Sequence, residues 1–168
     1  MPNTIAVVSE SRLRFKEKEY QCAVGRNGFS LDKKEGDGCT PIGTFPLCTV
    51  YFRPDKIPIV ATGLPRQSLT PSDGWCDDPK SPDYNGHVKL PFSGSFERLW
   101  RDDEIYDLVV VIGYNESPAV PGKGSAIFMH IARPDFSATD GCIALAKKDL
   151  LEILKNCNED TKISITTA

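Results

Sequence analysis

Apolar and polar side chains alternate along several short stretches of this chain, which is the pattern of β-strands with one buried face. These stretches are rich in Val, Ile, Phe and Thr, and thirteen glycines and thirteen prolines punctuate the chain between them. The charged segment Lys16–Glu19 separates two of them and predicts a hairpin turn. The predicted strands are Thr4–Ser9, Arg12–Phe15, Tyr20–Val24, Gly43–Phe52, Asp107–Gly113, Ala126–Ile131 and Lys162–Thr166.

Helical periodicity is confined to two places. Lys147–Cys157 carries Leu150, Leu151 and Leu154 at helical spacing, and this predicts an amphipathic helix. Phe96–Trp100 is compatible with a short helical turn. The pattern as a whole predicts a mainly β fold with one or two helices.

The middle of the chain, Leu64–Gly86, is long, polar and rich in Pro, Asp and Gly. A loop of that length in a compact domain is usually functional, often as a lid over a site. No repeat, low-complexity tract or linker divides the sequence. The predicted organisation is therefore one domain over residues 1–168.

Composition narrows the class of protein. The 168 residues are 40% hydrophobic and 26% charged, and the net charge of -3 argues against a nucleic-acid partner. No apolar stretch approaches the roughly 20 residues of a transmembrane segment. The run Ile5–Val8 is too short for a signal-peptide core. We expect a cytoplasmic protein if the chain is full length, and a protein of the periplasm or cell envelope if a signal was removed.

Six cysteines raise the question of which thiol, if any, is chemically active. They include no close Cys-x-x-Cys pair, and the chain is large enough to fold without disulfides, so free thiols are favoured. Cys22 and Cys48 lie inside strand patterns and are interpreted as core residues. Cys76, in the long polar segment, is the second candidate for a reactive thiol.

The first candidate is Cys142, which follows Gly141 in a small, polar stretch after the strand that ends near His130. A nearby imidazole can take the thiol proton, and a glycine turn lets consecutive N–H groups, including those of Gly141 and Cys142, point at an oxyanion. The alternative is a satisfied core histidine beside a small buried cysteine. The residues alone leave both interpretations open.

Other candidate sites are weaker. A zinc site built from His87, His130, Cys76 and Asp78 lacks the usual ligand spacing, so no metal is predicted, and His87 is expected to be an exposed loop residue.

Three further residues are candidates for substrate contacts. Tyr114 and Asn115 follow a predicted strand, and they either contact the substrate or serve as hydrogen-bonded struts. Arg133 either binds a substrate carboxylate or simply lies on the surface.

The segment GSAIFMHIARPDFSATDGCIALAKKDLLEIL resembles the catalytic segment of the L,D-transpeptidase catalytic domain family, the YkuD-like fold. That family carries a His, then a Ser or Thr, one residue, and Gly-Cys, which correspond here to His130, Thr139, Asp140, Gly141 and Cys142. GRNGFSLDKKEGDGCTPIGTFPL, GWCDDPKSPDYN and ERLWRDDEIYDLVVVIGYN resemble other segments of the family. The resemblance implies a YkuD-like β-sandwich.

The resemblance also implies a bacterial enzyme that cross-links peptidoglycan. Cys142 would attack a stem-peptide carbonyl and form a thioester, with His130 as general base and then general acid. An amine of a neighbouring stem would resolve the thioester, whereas water would make the enzyme a carboxypeptidase. Thr139 joins Tyr114, Asn115 and Arg133 as an expected substrate contact. In this family a backbone carbonyl often holds the second histidine nitrogen. No cofactor is implied, and β-lactams of the carbapenem type are the expected covalent inhibitors.

Two positions depart from the usual pattern of the family, Asp140 before Gly-Cys and Ala144 two residues after the cysteine. They motivate an alternative function, a non-catalytic module that binds the cell wall. A further alternative is a cytosolic thiol hydrolase of cell-wall peptides. The charge of Asp140 is expected to raise the pKa of Cys142 and to disfavour its thiolate.

Overall fold

Short β-strands dominate the structure of this chain, a computed structural model that describes residues 3–166. Within that range there are fourteen strands and one helix. In chain order they are β1 (Thr4–Val7), β2 (Arg12–Phe15), β3 (Lys18–Ala23), β4 (Phe29–Ser30), β5 (Thr40–Pro41), β6 (Gly43–Phe52), β7 (Arg66–Ser68), β8 (Asp73–Cys76), β9 (His87–Lys89), β10 (Phe96–Arg98), β11 (Leu108–Ile112), β12 (Phe128–Ile131), β13 (Ile143–Leu145), α1 (Lys147–Lys155) and β14 (Lys162–Ile165).

Nine strands form one sheet in the order β11-β12-β13-β3-β2-β1-β14-β6-β7, and β11 also pairs with β6. That extra pairing closes the sheet on itself. The long strand β6 makes closure possible, because it pairs with β14 along its first half and with β11 along its second half. The predicted mainly β, single-domain fold is confirmed. The layers of the fold are the facing halves of one continuous sheet. The predicted domain bounds, 1–168, include terminal residues that lie outside the described range.

The interior of the closed sheet is filled by side chains from alternate strand positions. Met129 and Ile131 of β12 point into this core, as do Ile143 and Leu145 of β13. The predicted hairpin is present as β2 and β3, and Lys16 in its tight turn takes a left-handed φ of 49°. The alternation read from the sequence therefore identifies the core face of these strands correctly.

A second layer covers the opposite face of β11 and β12. It contains a three-stranded sheet in the order β10-β8-β9. Two expectations are corrected here. Phe96–Trp100 is not a helical turn, because Phe96–Arg98 pairs with β8 as a strand. Leu64–Gly86 is not one long loop, because it contains β7 and β8, whose Trp75 is buried against the main sheet.

The single helix of the described residues, α1, packs against the closed sheet. Its buried side chains are Leu150, Ile153 and Leu154, one face of a 3.6-residue period. The helix ends at Lys155, two residues before the predicted end, and Cys157 follows it as a buried residue.

Candidate active site

The pairing of β12 with β13 brings His130 and Cys142 to the same face of the main sheet. The two strands are parallel, and His130 lies opposite Ala144. Cys142 precedes Ala144 by two residues, so the period-2 alternation of a strand turns both side chains to that face. His130 and Cys142 are 6% and 7% exposed. The sequence-predicted pair is therefore assembled by strand register.

The thiol of Cys142 is held by backbone groups. Its Sγ donates to the Ala126 carbonyl oxygen at 3.2 Å and accepts from the Phe128 N–H at 3.4 Å. Burial raises the pKa of Cys142 to about 12; the Glu97 carboxylate adds to this rise, and the Phe128 N–H and the Lys33 ammonium oppose it. At neutral pH the resting group is therefore a thiol and not a thiolate.

The imidazole of His130 is neutral as well. Its Nδ1 lies 2.9 Å from the Ile131 carbonyl oxygen, which only accepts hydrogen bonds, so Nδ1 carries the proton and Nε2 is left basic. Burial lowers the pKa of His130 to about 4, although the bond to Ile131 opposes the shift. Among the described residues no hydrogen bond joins His130 to Cys142. The geometry thus presents a neutral thiol and a neutral base on one face.

A tight turn precedes the cysteine and is tied on both sides. Gly141 has a φ of 140°, and a Cβ there would lie 2.7 Å from the Cys39 carbonyl oxygen, so no larger residue fits. Thr139 Oγ1 accepts from the Gly141 N–H at 3.0 Å and donates to the Cys142 carbonyl oxygen at 2.6 Å. Thr40 Oγ1 donates to the Gly141 carbonyl oxygen at 2.8 Å. The sequence Asp-Gly-Cys occurs twice in the chain, at Asp37–Cys39 and at Asp140–Cys142, and the earlier segment therefore supports the turn of the later one.

Asp140 lines the same cavity as Cys142 but is largely exposed to solvent. Its side chain is 90% exposed and forms an ion pair with Arg26. The carboxylate that raises the pKa of Cys142 is Glu97 of β10, and not the adjacent Asp140 as the sequence led us to expect.

A cavity of about 410 Å³ opens onto Cys142 and His130. Of the other sequence-predicted site residues, Thr139 and Arg133 line it. The Arg133 guanidinium is half-exposed and lies 3.7 Å from an Asp103 carboxylate oxygen. The cavity, a thiol and an imidazole are thus adjacent. The cavity walls also include residues that the sequence did not single out, namely Arg26, Lys33, Glu35, Asp77, Glu97, Arg101, Tyr106 and Ser125.

Tyr114 and Asn115 lie outside the lining of this cavity. Their carbonyl oxygens accept from Asn85 Nδ2 at 3.0 and 2.8 Å. Asn85 Oδ1 accepts from the Trp75 indole N–H and the Ala126 N–H at 2.9 and 3.0 Å. The carbonyls of Tyr114 and Asn115 are thus linked through Asn85 to Ala126, whose own carbonyl oxygen accepts from the Cys142 thiol.

Among residues 3–166, no group of three or more His, Cys, Asp or Glu side chains is arranged to hold an ion. His87 belongs to β9 and is not an exposed loop residue: its Nε2 lies 2.6 Å from Asp73 Oδ1, and its ring stacks on Tyr51. All six cysteines are free thiols. In the described part of the chain no helix has the length and apolar character needed to span a membrane.

Glu97 and Tyr106 are the most informative of the residues that sequence reasoning missed. Glu97 lies in the stretch interpreted as a helical turn, and Tyr106 precedes a strand with no motif around it. The ring of Tyr106 meets that of His130 edge to face at 5.3 Å, and its hydroxyl donates to the Glu97 carboxylate. Pairing between distant strands brings them to the site, and no local signal marks them.

Comparison with known proteins gives one match. The family model described as YkuD, the L,D-transpeptidase catalytic domain, matches residues 3–165, nearly the whole chain. No curated protein and no solved structure matches the chain.

Proposed function

Because the chain belongs to the YkuD family of L,D-transpeptidase catalytic domains, we propose that it is a peptidoglycan L,D-transpeptidase with Cys142 as its nucleophile. The observation that carries this proposal is the placement of Cys142 and His130 on one face of paired strands, at the wall of one cavity. The substrates are peptidoglycan stem peptides, so the activity belongs in the periplasm or cell envelope of a bacterium.

The acylation step begins from neutral groups. Since burial raises the pKa of Cys142 to about 12 and lowers that of His130 to about 4, proton transfer before attack is strongly unfavourable. His130 Nε2 therefore takes the proton as Sγ bonds to the carbonyl carbon of the L-centred residue. The imidazolium then protonates the leaving amine of the D-residue, and the product is a thioester on Cys142.

The turn before Cys142 supplies hydrogen bonds to the oxyanion. The N–H groups of Cys142 and Gly141 are the proposed donors. The Gly141 N–H donates to Thr139 Oγ1 in the resting structure, so it exchanges that partner for the oxyanion. Arg133, half-exposed at the cavity, binds a substrate carboxylate through its planar guanidinium.

The second step sets the outcome. An amine of a neighbouring stem peptide gives a cross-link, and water gives a shortened stem, which would make the enzyme an L,D-carboxypeptidase. A non-catalytic module that binds cell wall is the second candidate, and the high pKa of the Cys142 thiol and its missing bond to His130 favour it.

One experiment separates these functions. The protein is incubated with isolated stem peptides, and the products are analysed by mass spectrometry beside the Cys142→Ala variant. The expected product is a cross-linked dimer that only the unaltered protein forms. A trimmed monomer as sole product would indicate the carboxypeptidase, and unchanged peptides that still bind would indicate the non-catalytic module.

A further inference from the structure

Glu97 is an acidic side chain at the wall of the cavity. Its carboxylate accepts from the Tyr106 hydroxyl and forms no ion pair within residues 3–166. The basic side chains of the cavity differ, because each is ion-paired with an aspartate. These are Arg26, Lys33, Arg101 and Arg133. Among the described residues, three cavity carboxylates therefore stand outside any ion pair, those of Glu35, Asp77 and Glu97. Glu97 is the one whose hydrogen-bond partner, Tyr106, packs against the ring of His130.

Two observations relate Glu97 to Cys142 and His130. Among charged side chains its carboxylate has the largest effect on the pKa of the Cys142 thiol. The Tyr106 hydroxyl that donates to it belongs to a ring packed against His130, and Tyr106 is only 5% exposed. Glu97 thus lies on the wall of the cavity that holds Cys142 and His130, and Tyr106, as a positioning residue, joins its carboxylate to the ring of His130.

The titration of Glu97 suits proton exchange. Burial raises the pKa of its carboxyl above the ordinary value; Asp77 and Glu35 raise it further, while the Tyr106 hydroxyl and Arg101 oppose the shift. A carboxylate with a raised pKa is a stronger base than an exposed one. These are the titratable groups that face it from the segments packed around β10.

The proposed transfer step needs a second base. An alkylamine acceptor arrives as an ammonium ion at neutral pH and must lose one proton before it can attack. As its nitrogen bonds to the thioester carbon it loses another proton, which His130 takes and returns to sulfur when the C–S bond breaks. The first proton has no acceptor in the Cys142–His130 pair.

We infer that Glu97, oriented by Tyr106, binds the ammonium of the incoming acceptor and takes this first proton. The inference rests on the proposed transpeptidase function, whose acceptor is an alkylammonium group, and adds the residue that receives this group. The protonated Glu97 then releases its proton to solvent, so protons balance over the cycle. Water as acceptor carries no such proton and does not need Glu97.

The test compares acceptors on the thioester formed by a donor stem peptide. Glu97→Gln is compared with Glu104→Gln, which removes one charge from an exposed nearby side chain outside the cavity lining. Transfer is measured by mass spectrometry with an alkylamine stem peptide and with hydroxylamine, which is already neutral at pH 7. We expect Glu97→Gln to slow transfer to the alkylamine by at least about tenfold, to slow hydroxylamine far less, and to regain transfer as pH approaches the pKa of the alkylamine.

Other outcomes separate the two proposals. Equal slowing of both acceptors, or none, in Glu97→Gln would overturn the role of Glu97 and leave the transpeptidase standing. Absence of any thioester in the unaltered protein would remove both. If Glu97→Gln does not fold, Tyr106→Phe is used, because it leaves the carboxylate but removes its orienting hydroxyl. It should give a smaller defect selective for the alkylamine, and an equal defect with both acceptors would overturn the inference.

Discussion

The main sheet buries a cysteine on each of its two faces, and the two differ in what surrounds them. Cys22 of β3 belongs to the interior core, and Cys142 belongs to the outer layer. Burial raises the pKa of both thiols to about 12. The protonation state of the thiol therefore does not distinguish Cys22 from Cys142.

The residues around Cys22 and Cys142 do distinguish the two cysteines. Cys22 packs within an apolar cluster, whereas Cys142 lies beside the imidazole of His130, the phenol of Tyr106 and the carboxylate of Glu97, at a cavity wall. In the interior core, the burial of Cys22 contributes only to hydrophobic packing. In the mechanism that we propose, the same burial on the outer face keeps the thiol of Cys142 and the imidazole of His130 neutral until a substrate arrives. A nucleophile in this fold is identified by the polar groups it meets, and less by its pKa.

The comparison is tested most directly by replacing each of the two cysteines with alanine. Cys142→Ala should abolish thioester formation, because it removes the only group that bonds to the carbonyl carbon, and it should remain folded. Cys22→Ala should keep turnover and lose about 1 kcal/mol of unfolding free energy, from a small loss of core packing. Intact-mass measurement of the acyl-enzyme and urea unfolding check the pair. Retained acylation in Cys142→Ala would show that another residue is the nucleophile.

The next largest effect is expected from His130→Ala. Loss of the general base should slow acylation at pH 7 by about 10²- to 10⁴-fold. With a carbapenem as acylating probe, the rate of the unaltered protein should be nearly constant between pH 6 and 9, as His130 has a pKa lowered to about 4 by burial. His130→Ala retains only the thiolate route, so its rate should climb about tenfold per pH unit below the raised pKa of Cys142.

Stopped-flow fluorescence or intact-mass sampling across a pH series measures both profiles. A rate that rises steeply with pH in the unaltered protein would show that a thiolate, formed without His130, attacks. No adduct at any pH in folded, reduced protein would favour the non-catalytic module.

A smaller effect concerns stability in acid, where only the outer face carries a histidine. The folded-state pKa of His130 is lowered to about 4 from 6.5, so between these values the unfolded chain binds more protons. Stability should therefore fall as pH drops through this window, by up to about 1.4 kcal/mol per pH unit from this group. His130→Asn should reduce that slope in urea unfolding at pH 7, 6 and 5. An unchanged slope would mean that other groups dominate acid unfolding.

The smallest effect is expected at Asp140. Its side chain is exposed and ion-paired with Arg26, and Glu97 is the carboxylate that acts on the thiol. Asp140→Asn should change the carbapenem acylation rate by no more than about twofold, because exposed ion pairs contribute little. A larger change would show that the ion pair with Arg26 shapes the Gly141 turn.

The sequence predicts the strands of the closed sheet well and those of the outer layer poorly. Gly43–Phe52 is a strand over its full predicted length, because its alternation reports burial on one face. Strands β8, β9 and β10 have three or four residues each, in polar segments with Pro and Gly. Only their mutual pairing makes them strands, and pairing between distant segments leaves no local periodicity.

The same division applies to the site. Cys142 and His130 are predictable because a glycine turn and a strand end mark them in one continuous segment. Glu97 and Tyr106 are not, because they reach the cavity through the pairing of β10 with β8 and the packing of that layer on β12. Asn85 is likewise visible only once its side chain is seen to join Trp75 to Ala126.

The contact between the two Asp-Gly-Cys turns has a consequence for transplanting this chemistry. Cys39 and Thr40 back the Gly141 turn, and the Arg26 N–H donates to the Thr139 carbonyl oxygen at 2.9 Å from the same side. The segment from His130 to Leu145 therefore lacks, on its own, the contacts that hold its turn in place. A fragment moved into a different protein has to bring the stretch from Gly25 to Thr40 with it, although residues 41–129 separate the two pieces in the chain.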